Sequence, residues 1–131
     1  ERGYLYSSSM KDCDWAYLWE KDQKELPLVE LPNDITMDDF TYYYFTFSDP
    51  AVRCMYPNRE VFGNWKQEFD GLALEGNKIF ILKLHPQMIG RASRIGMVGE
   101  FIAYMQNHGA WITTCEDVAR YVQKQNGGNR A

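Results

Sequence analysis

The chain is poor in histidine, and the scarcity excludes much. His85 and His108 are its only two among 131 residues, 23 positions apart. No HxxxH or HExxH pair exists, so no local metal-binding motif is present. GxSxG and Gly-rich phosphate loops are missing as well. Cysteine is scarce too. Cys13, Cys54 and Cys115 are odd in number and widely spaced. Without a CxxC pair they indicate neither a zinc site nor a disulfide framework, and they read as reduced thiols. No run reaches the roughly 18 apolar residues of a membrane span. A basic excess is lacking: Lys and Arg total 14 against 18 Asp and Glu, a net charge of −4. That leaves no basic face for nucleic acid or anionic lipid. No secretory pattern stands at the start, and the chain opens on Glu1-Arg2-Gly3 without Met. A fragment or a processed product is therefore expected, with a cytoplasmic location.

What remains is globular in composition. Hydrophobic residues make up 45% and aromatic residues 15%, and the length suits one domain spanning 1–131. Residues 1–57 read as irregular and extended segments, 58–125 as alternating helices and strands, and 126–131 as a frayed tail. Within the first part, 1–25 is irregular. The run 26–32 (LPLVELP) is a short strand bounded by prolines. The aromatic run 37–47 is expected to be extended and buried on both faces. Val61, Phe62, Trp65, Phe69 and Leu72 fall on one helical stripe, with Asn58 as the candidate cap and Gly76 as the stop. A buried strand is expected at 78–84. A helix follows at 93–108, with Ser93 as cap and Ile95, Val98, Ile102 and Met105 facing inward, closed by Gly109. A third strand fits 110–113. Thr114 and Asp117 then form a capping-box variant that opens a helix over 115–125. Strands alternating with helices imply βαβ units and a parallel sheet, but too few strands for a closed barrel, which typically needs about 250 residues.

The residue types leave several readings open. His85 stands at the carboxyl end of the clearest strand, where α/β folds place functional groups. Pro86 stops the ladder there. Its imidazole suits proton transfer to a leaving group or oxyanion stabilisation, or else it bonds a backbone carbonyl. Arg91 and Arg94 flank the next helix start, where they either bind an anion or pin the loop to carbonyls; the second reading is favoured. Asp38 and Asp39 would need a third group for metal or acid/base work, and the local sequence supplies none. A solvated pair, or one that orients a distant Arg, is expected. His108 fits a structural role at a helix C-terminus. The band 40–47 reads as core or interface before sugar platform.

Taken together, the run FILKLHPQMIGRASRIGMVGEFIAYMQNHGAWITTCEDVARYV (80–122) resembles the C-terminal portion of polysaccharide deacetylase-like (NodB homology) proteins. It is most similar to the branch holding metal-independent allantoinases and cyclic imide hydrolases. GYLYSSSM (3–10), LVELPNDITMDDF (28–40) and WKQEFDGLALEG (65–76) resemble the same branch in the same order. The most specific element is His-Pro-x-x-x-Gly-Arg-x-Ser-Arg, starting at His85.

This resemblance implies an α/β fold, the C-terminal part of a distorted (β/α) barrel of NodB type, incomplete on its own. It implies hydrolysis of carbon–nitrogen bonds in an N-acetyl sugar, or in an amide or cyclic amide such as allantoin or an imide. Deacetylase members hold a divalent metal, such as zinc, with one Asp and two His from the N-terminal half, which has no match here. No metal ligand is therefore assigned in this chain. His85 matches the late general-acid histidine. Asp38, Asp39 and Arg91 are carried over as substrate-binding or site-orienting groups, although Phe40 stands where deacetylases carry Trp. Ser7 replaces a frequent Asp and receives no role. Activity would require an N-terminal half or a second polypeptide that completes the barrel, and an oligomer is expected. The alternative is a non-catalytic interaction or structural module that self-associates.

Overall fold

A computed structural model describes residues 3–44 and 55–127. Cys54, the end of the aromatic run (45–47) and the last tail residues lie outside them. The N-terminal segment is more regular than its sequence suggests. β1 (Tyr6–Ser7), β2 (Tyr17–Lys21) and β3 (Lys24–Glu30) form a three-stranded sheet in the order β1-β3-β2. β1 runs parallel to β3, with Tyr6 opposite Val29, and β2 runs antiparallel to it. Asp22 and Gln23 join β2 to β3 with φ of 53° and 63°, a two-residue turn whose twist matches a hairpin. The expectation of irregular chain over 1–25 is corrected here, because the turn lacks the Asn-Gly or Asp-Gly signature that would have announced it. Pro27 cannot donate to a ladder, and the β2 register shifts between Leu18 and Glu20 beside it.

The expected extended run from 37 is also corrected. Ile35–Met37 is a 3₁₀ turn, and α1 covers Asp39–Tyr43. Side-chain caps override the β-propensity of the aromatic residues. Asp34 accepts from the Thr36 amide, and Asp38 accepts from the Phe40 amide at 2.9 Å.

The long helices lie close to where periodicity places them: α2 Asn58–Glu75, α4 Ala92–Asn107 and α5 Cys115–Gly127. A short α3 (Pro86–Ile89) precedes α4. Gly76 and Gly109 take φ of 70° and 80° at the ends of α2 and α4, a backbone conformation glycine adopts without penalty. Two caps differ from expectation. Pro57 rather than Asn58 caps α2, and the Asn58 side-chain Nδ2 instead donates to the Ser93 carbonyl at 2.8 Å. Arg91 rather than Ser93 caps α4. The capping box holds: the Asp117 amide donates to Thr114 Oγ1 at 3.1 Å.

Two cores form. One joins α1, α2 and α4 through Tyr42, Tyr43, Val61, Trp65, Phe69, Val98, Phe101 and Met105. Burying Trp65 or Phe101 contributes about 1.5–3 kcal/mol each. On α4, Phe101 faces inward while Ile95 and Ile102 stay exposed, which corrects the expected stripe by one turn position. The other core sets Val29 and Leu31 against Ala119 of α5. Between them runs the segment 78–84. Ile79 and Ile81 pack on the sheet core, and Phe80 and Leu82 on the helix core. That is the period-two alternation of a strand. Yet among the described residues it makes a single isolated bridge, Asp38 with Lys83, and Ile79, Phe80, Ile81 and Leu82 are half-buried while Leu84 is exposed. Residues 110–113 form no strand, and Trp111 and Ile112 are exposed.

Candidate functional site

The bridge between Asp38 and Lys83 brings two distant segments together. The Lys83 amide donates to the Met37 carbonyl at 2.8 Å, and the Asp39 amide donates to the Lys83 carbonyl at 3.1 Å. The start of α1 is thereby fixed beside residue 85, 46 positions later. Asp39 is fully buried. Its Oδ2 accepts from the His85 backbone amide at 2.9 Å, and its Oδ1 lies 2.6 Å from His85 Nδ1. An ionised carboxylate only accepts, so Nδ1 carries the proton and Nε2 is left for chemistry. Two bonds from one carboxylate to backbone and ring of the same residue fix the orientation of the imidazole. The side chain of His85 keeps 39% of its exposure, so the ring remains reachable. Pro86 begins α3 as its first residue. The His85 carbonyl accepts from the Met88 and Ile89 amides.

Asp38 Oδ1 lies 3.5 Å from the same Nδ1, and its Oδ2 lies 3.3 Å from Lys83 Nζ. Lys83 also donates to Asn33 Oδ1 at 2.9 Å. Asn33 is itself tied to the N-terminal loop through the Ser8 and Met10 carbonyls. The Phe40 ring sits 5.2 Å from the imidazole, and Tyr44 stacks on Phe40 at 4.2 Å.

The structure therefore gathers His85, Asp38 and Asp39 and leaves Arg91 apart. Arg91 is exposed at the start of α4, and among the described residues no hydrogen bond or ion pair joins it to the other three. Arg94 is the one that pins the loop. Its Nη1 donates to the Met88 carbonyl at 2.7 Å, and its guanidinium lies over Tyr43 at 3.8 Å. Burial pushes the Tyr43 phenol up, with Arg94 opposing and Asp39 reinforcing. His108 bonds the Tyr104 carbonyl at 2.8 Å at the end of α4, in keeping with a structural role. The expectation of a solvated Asp38-Asp39 pair is overturned. The third group it lacked locally is His85, and the cation beside Asp38 is Lys83 rather than an arginine.

Sequence reasoning passed over Lys83, Asn33 and the fully buried Glu30. Lys83 stands two residues before His85, so both leave an extended chain on one face. Glu30 interrupts an apolar run. Those were the available signals.

Donor atoms of Asp38, Asp39 and His85 lie within 4.8 Å of one another. In this arrangement they do not fit a metal cage. Both Asp39 oxygens and His85 Nδ1 are spent on each other, and 2.6 Å is a hydrogen-bond length with no room for an ion between. A separate cleft, lined by Asp12, Asp14, Asp34 and Glu68 among others, does not include His85 or Asp39.

No family model and no curated protein matches the chain. Solved structures do. A protein named as a polysaccharide deacetylase from Mycobacterium smegmatis aligns with a TM-score of 0.79 and 26% identity over 95% of this chain. The chain resembles the polysaccharide deacetylase-like family of NodB-like fold. A second protein named as a polysaccharide deacetylase, from Pseudomonas aeruginosa PAO1, aligns at 0.75 with 27% identity over 94% of the chain. The PuuE allantoinase aligns at 0.75 with 27% identity over 91%. The chain spans only 43%, 40% and 38% of those three proteins. Proteins named as deacetylases and an allantoinase thus align with this chain at similar identity. No helix among the described residues is long and apolar enough to cross a membrane.

Proposed function

We propose that this chain is the C-terminal part of a distorted (β/α) barrel and supplies the general acid of a carbon–nitrogen hydrolase. The observation that carries this is the Asp39–His85 pair, held at 2.6 Å at the carboxyl end of segment 78–84. Asp39 keeps the proton on Nδ1 and orients the ring. A protonated Nε2 then gives its proton to the departing nitrogen as the C–N bond breaks, so that the leaving group departs as a neutral amine or amide. Water activation and any metal are left to the rest of the barrel.

A completing N-terminal half, in the same polypeptide or another, is supported by two features. The chain covers less than half of its structural neighbours, and segment 78–84 alternates as a strand while making one bridge. For substrate we favour a small cyclic amide over an N-acetyl sugar, on the His-Pro-x-x-x-Gly-Arg-x-Ser-Arg run. The test is His85→Ala in the completed enzyme. A loss of about 10²–10⁴ in kcat is expected, and less than about tenfold argues against acid catalysis.

A second reading, a self-associating module without catalysis, draws on the exposed Trp111, Ile112 and Tyr121. An inert, stable homo-oligomer of the chain would favour it. A one-to-one active complex with the N-terminal half would favour the hydrolase.

A further inference from the structure

Two carboxylates face one imidazole, yet one of them bonds it. Asp39 Oδ1 stands 2.6 Å from His85 Nδ1, while Asp38 Oδ1 stands 3.5 Å away. Two contacts hold Asp38 back. Its Oδ1 accepts from the Phe40 amide at 2.9 Å, and its Oδ2 meets Lys83 Nζ at 3.3 Å. Lys83 is anchored in turn. Nζ donates to Asn33 at 2.9 Å, and its backbone is bonded to Met37 and Asp39. The side chains of Lys83 and Asp38 are 30% and 18% exposed, so their attraction is less screened than that of a surface pair.

We infer that Lys83 is a positioning residue for His85: it neutralises Asp38 and holds it at 3.5 Å from the imidazole, leaving Asp39 as the hydrogen-bond partner of Nδ1. This rests on reading His85 as the general acid. Two uncompensated carboxylates beside one imidazole would hold its proton too firmly for release to a leaving group. Lys83 divides the four charges into two pairs, Lys83 with Asp38 and His85 with Asp39. Among the described residues, Asp34 also lies within electrostatic reach of Lys83, and Tyr43 within reach of Asp39 and Arg94; Phe40 lies against the ring, and α3 carries no ionisable residue.

The test is an imidazole NMR titration of the whole chain, with His108 as an internal reference on another helix end. Lys83→Met leaves Asp38 unopposed, so the midpoint of His85 is expected to rise by at least about 0.3 pH unit. Asp38→Asn leaves Lys83 unopposed and is expected to lower it; Asn is an equal helix cap, so α1 is kept. Lys83→Arg is expected to restore the wild-type midpoint, and His108 to stay fixed throughout. Opposite shifts from the two charge deletions support the clamp. Unchanged midpoints, or shifts of the same sign, overturn it. Should Lys83→Met not fold, Lys83→Gln is titrated in its place: an upward shift supports the clamp and no shift overturns it. No turnover is needed. The expected shifts together with an inactive completed enzyme would sink the hydrolase reading and leave the clamp standing; an active enzyme without the shifts would do the reverse.

Discussion

Replacing Glu30 with glutamine is expected to destabilise the chain by about 2–4 kcal/mol, although the shape is nearly unchanged. Glu30 is fully buried at the end of β3. Its Oε1 accepts from the Ser9 and Met10 amides at 2.7 and 2.8 Å, and its Oε2 accepts from Trp19 Nε1 at 2.9 Å. Glutamine can keep its carbonyl on the two amides, but those bonds lose their charge. Its NH₂ then faces the indole N–H, donor against donor. A buried donor left without an acceptor costs about 1–3 kcal/mol, and two bonds reduced from charged to neutral account for the rest. Against a total stability of about 5–15 kcal/mol this is a large fraction.

The pH dependence separates charge from shape. Burial pushes the Glu30 carboxyl up, but the Met10 and Ser9 amides, the Trp19 indole and the Ser7 hydroxyl outweigh it and hold it below the ordinary range. A depressed carboxyl contributes stability that is full above its unfolded value, about 4.3, and is lost as pH falls through the lower folded value. Glutamine does not titrate. The gap between wild type and Glu30→Gln is therefore expected to be full at neutral pH and to narrow on acidification below about pH 4. Urea unfolding followed by tryptophan fluorescence at stepped pH measures it. A gap under about 0.5 kcal/mol at neutral pH, or one that stays constant into acid, would refute the reasoning.

Two further outcomes follow from the site. Asp39→Asn in the completed enzyme is expected to cost about 10²–10⁴ in kcat with KM little changed, because asparagine can present N–H₂ to Nδ1 and select the wrong tautomer; wild-type turnover would show that Asp39 does not orient His85. Gly90→Ala places a Cβ 2.5 Å from the Pro86 carbonyl oxygen. It is expected to cost about 1–3 kcal/mol in thermal or urea unfolding and to disturb the loop after His85; an unchanged midpoint would show that α3 yields freely.

The local grammar of the chain was legible from residue order. Apolar spacing marked α2, α4 and α5, because a 3.6-residue period needs no knowledge of what the helix packs against. His-Pro marked the end of the extended segment, since proline has no N–H to continue a ladder. The Thr114–Asp117 cap was readable for the same reason: donor and acceptor lie three residues apart. The β2–β3 hairpin was not legible, because Asp22-Gln23 takes positive φ under tertiary pressure rather than by preference. Nor was α1, where capping by Asp38 overrode an aromatic run.

The site divides the same way. Sequence pointed to His85 and, through resemblance, to Asp38, Asp39 and Arg91 as its companions. Which carboxylate bonds the ring, that Lys83 faces the other, and that Arg91 makes no contact with them among the described residues were decided only by folding. These are contacts across 46 residues, set by one parallel bridge and the burial of one aspartate. A chain of that length between two groups carries no local signal of their meeting, because the closure entropy is met by the packing of everything in between.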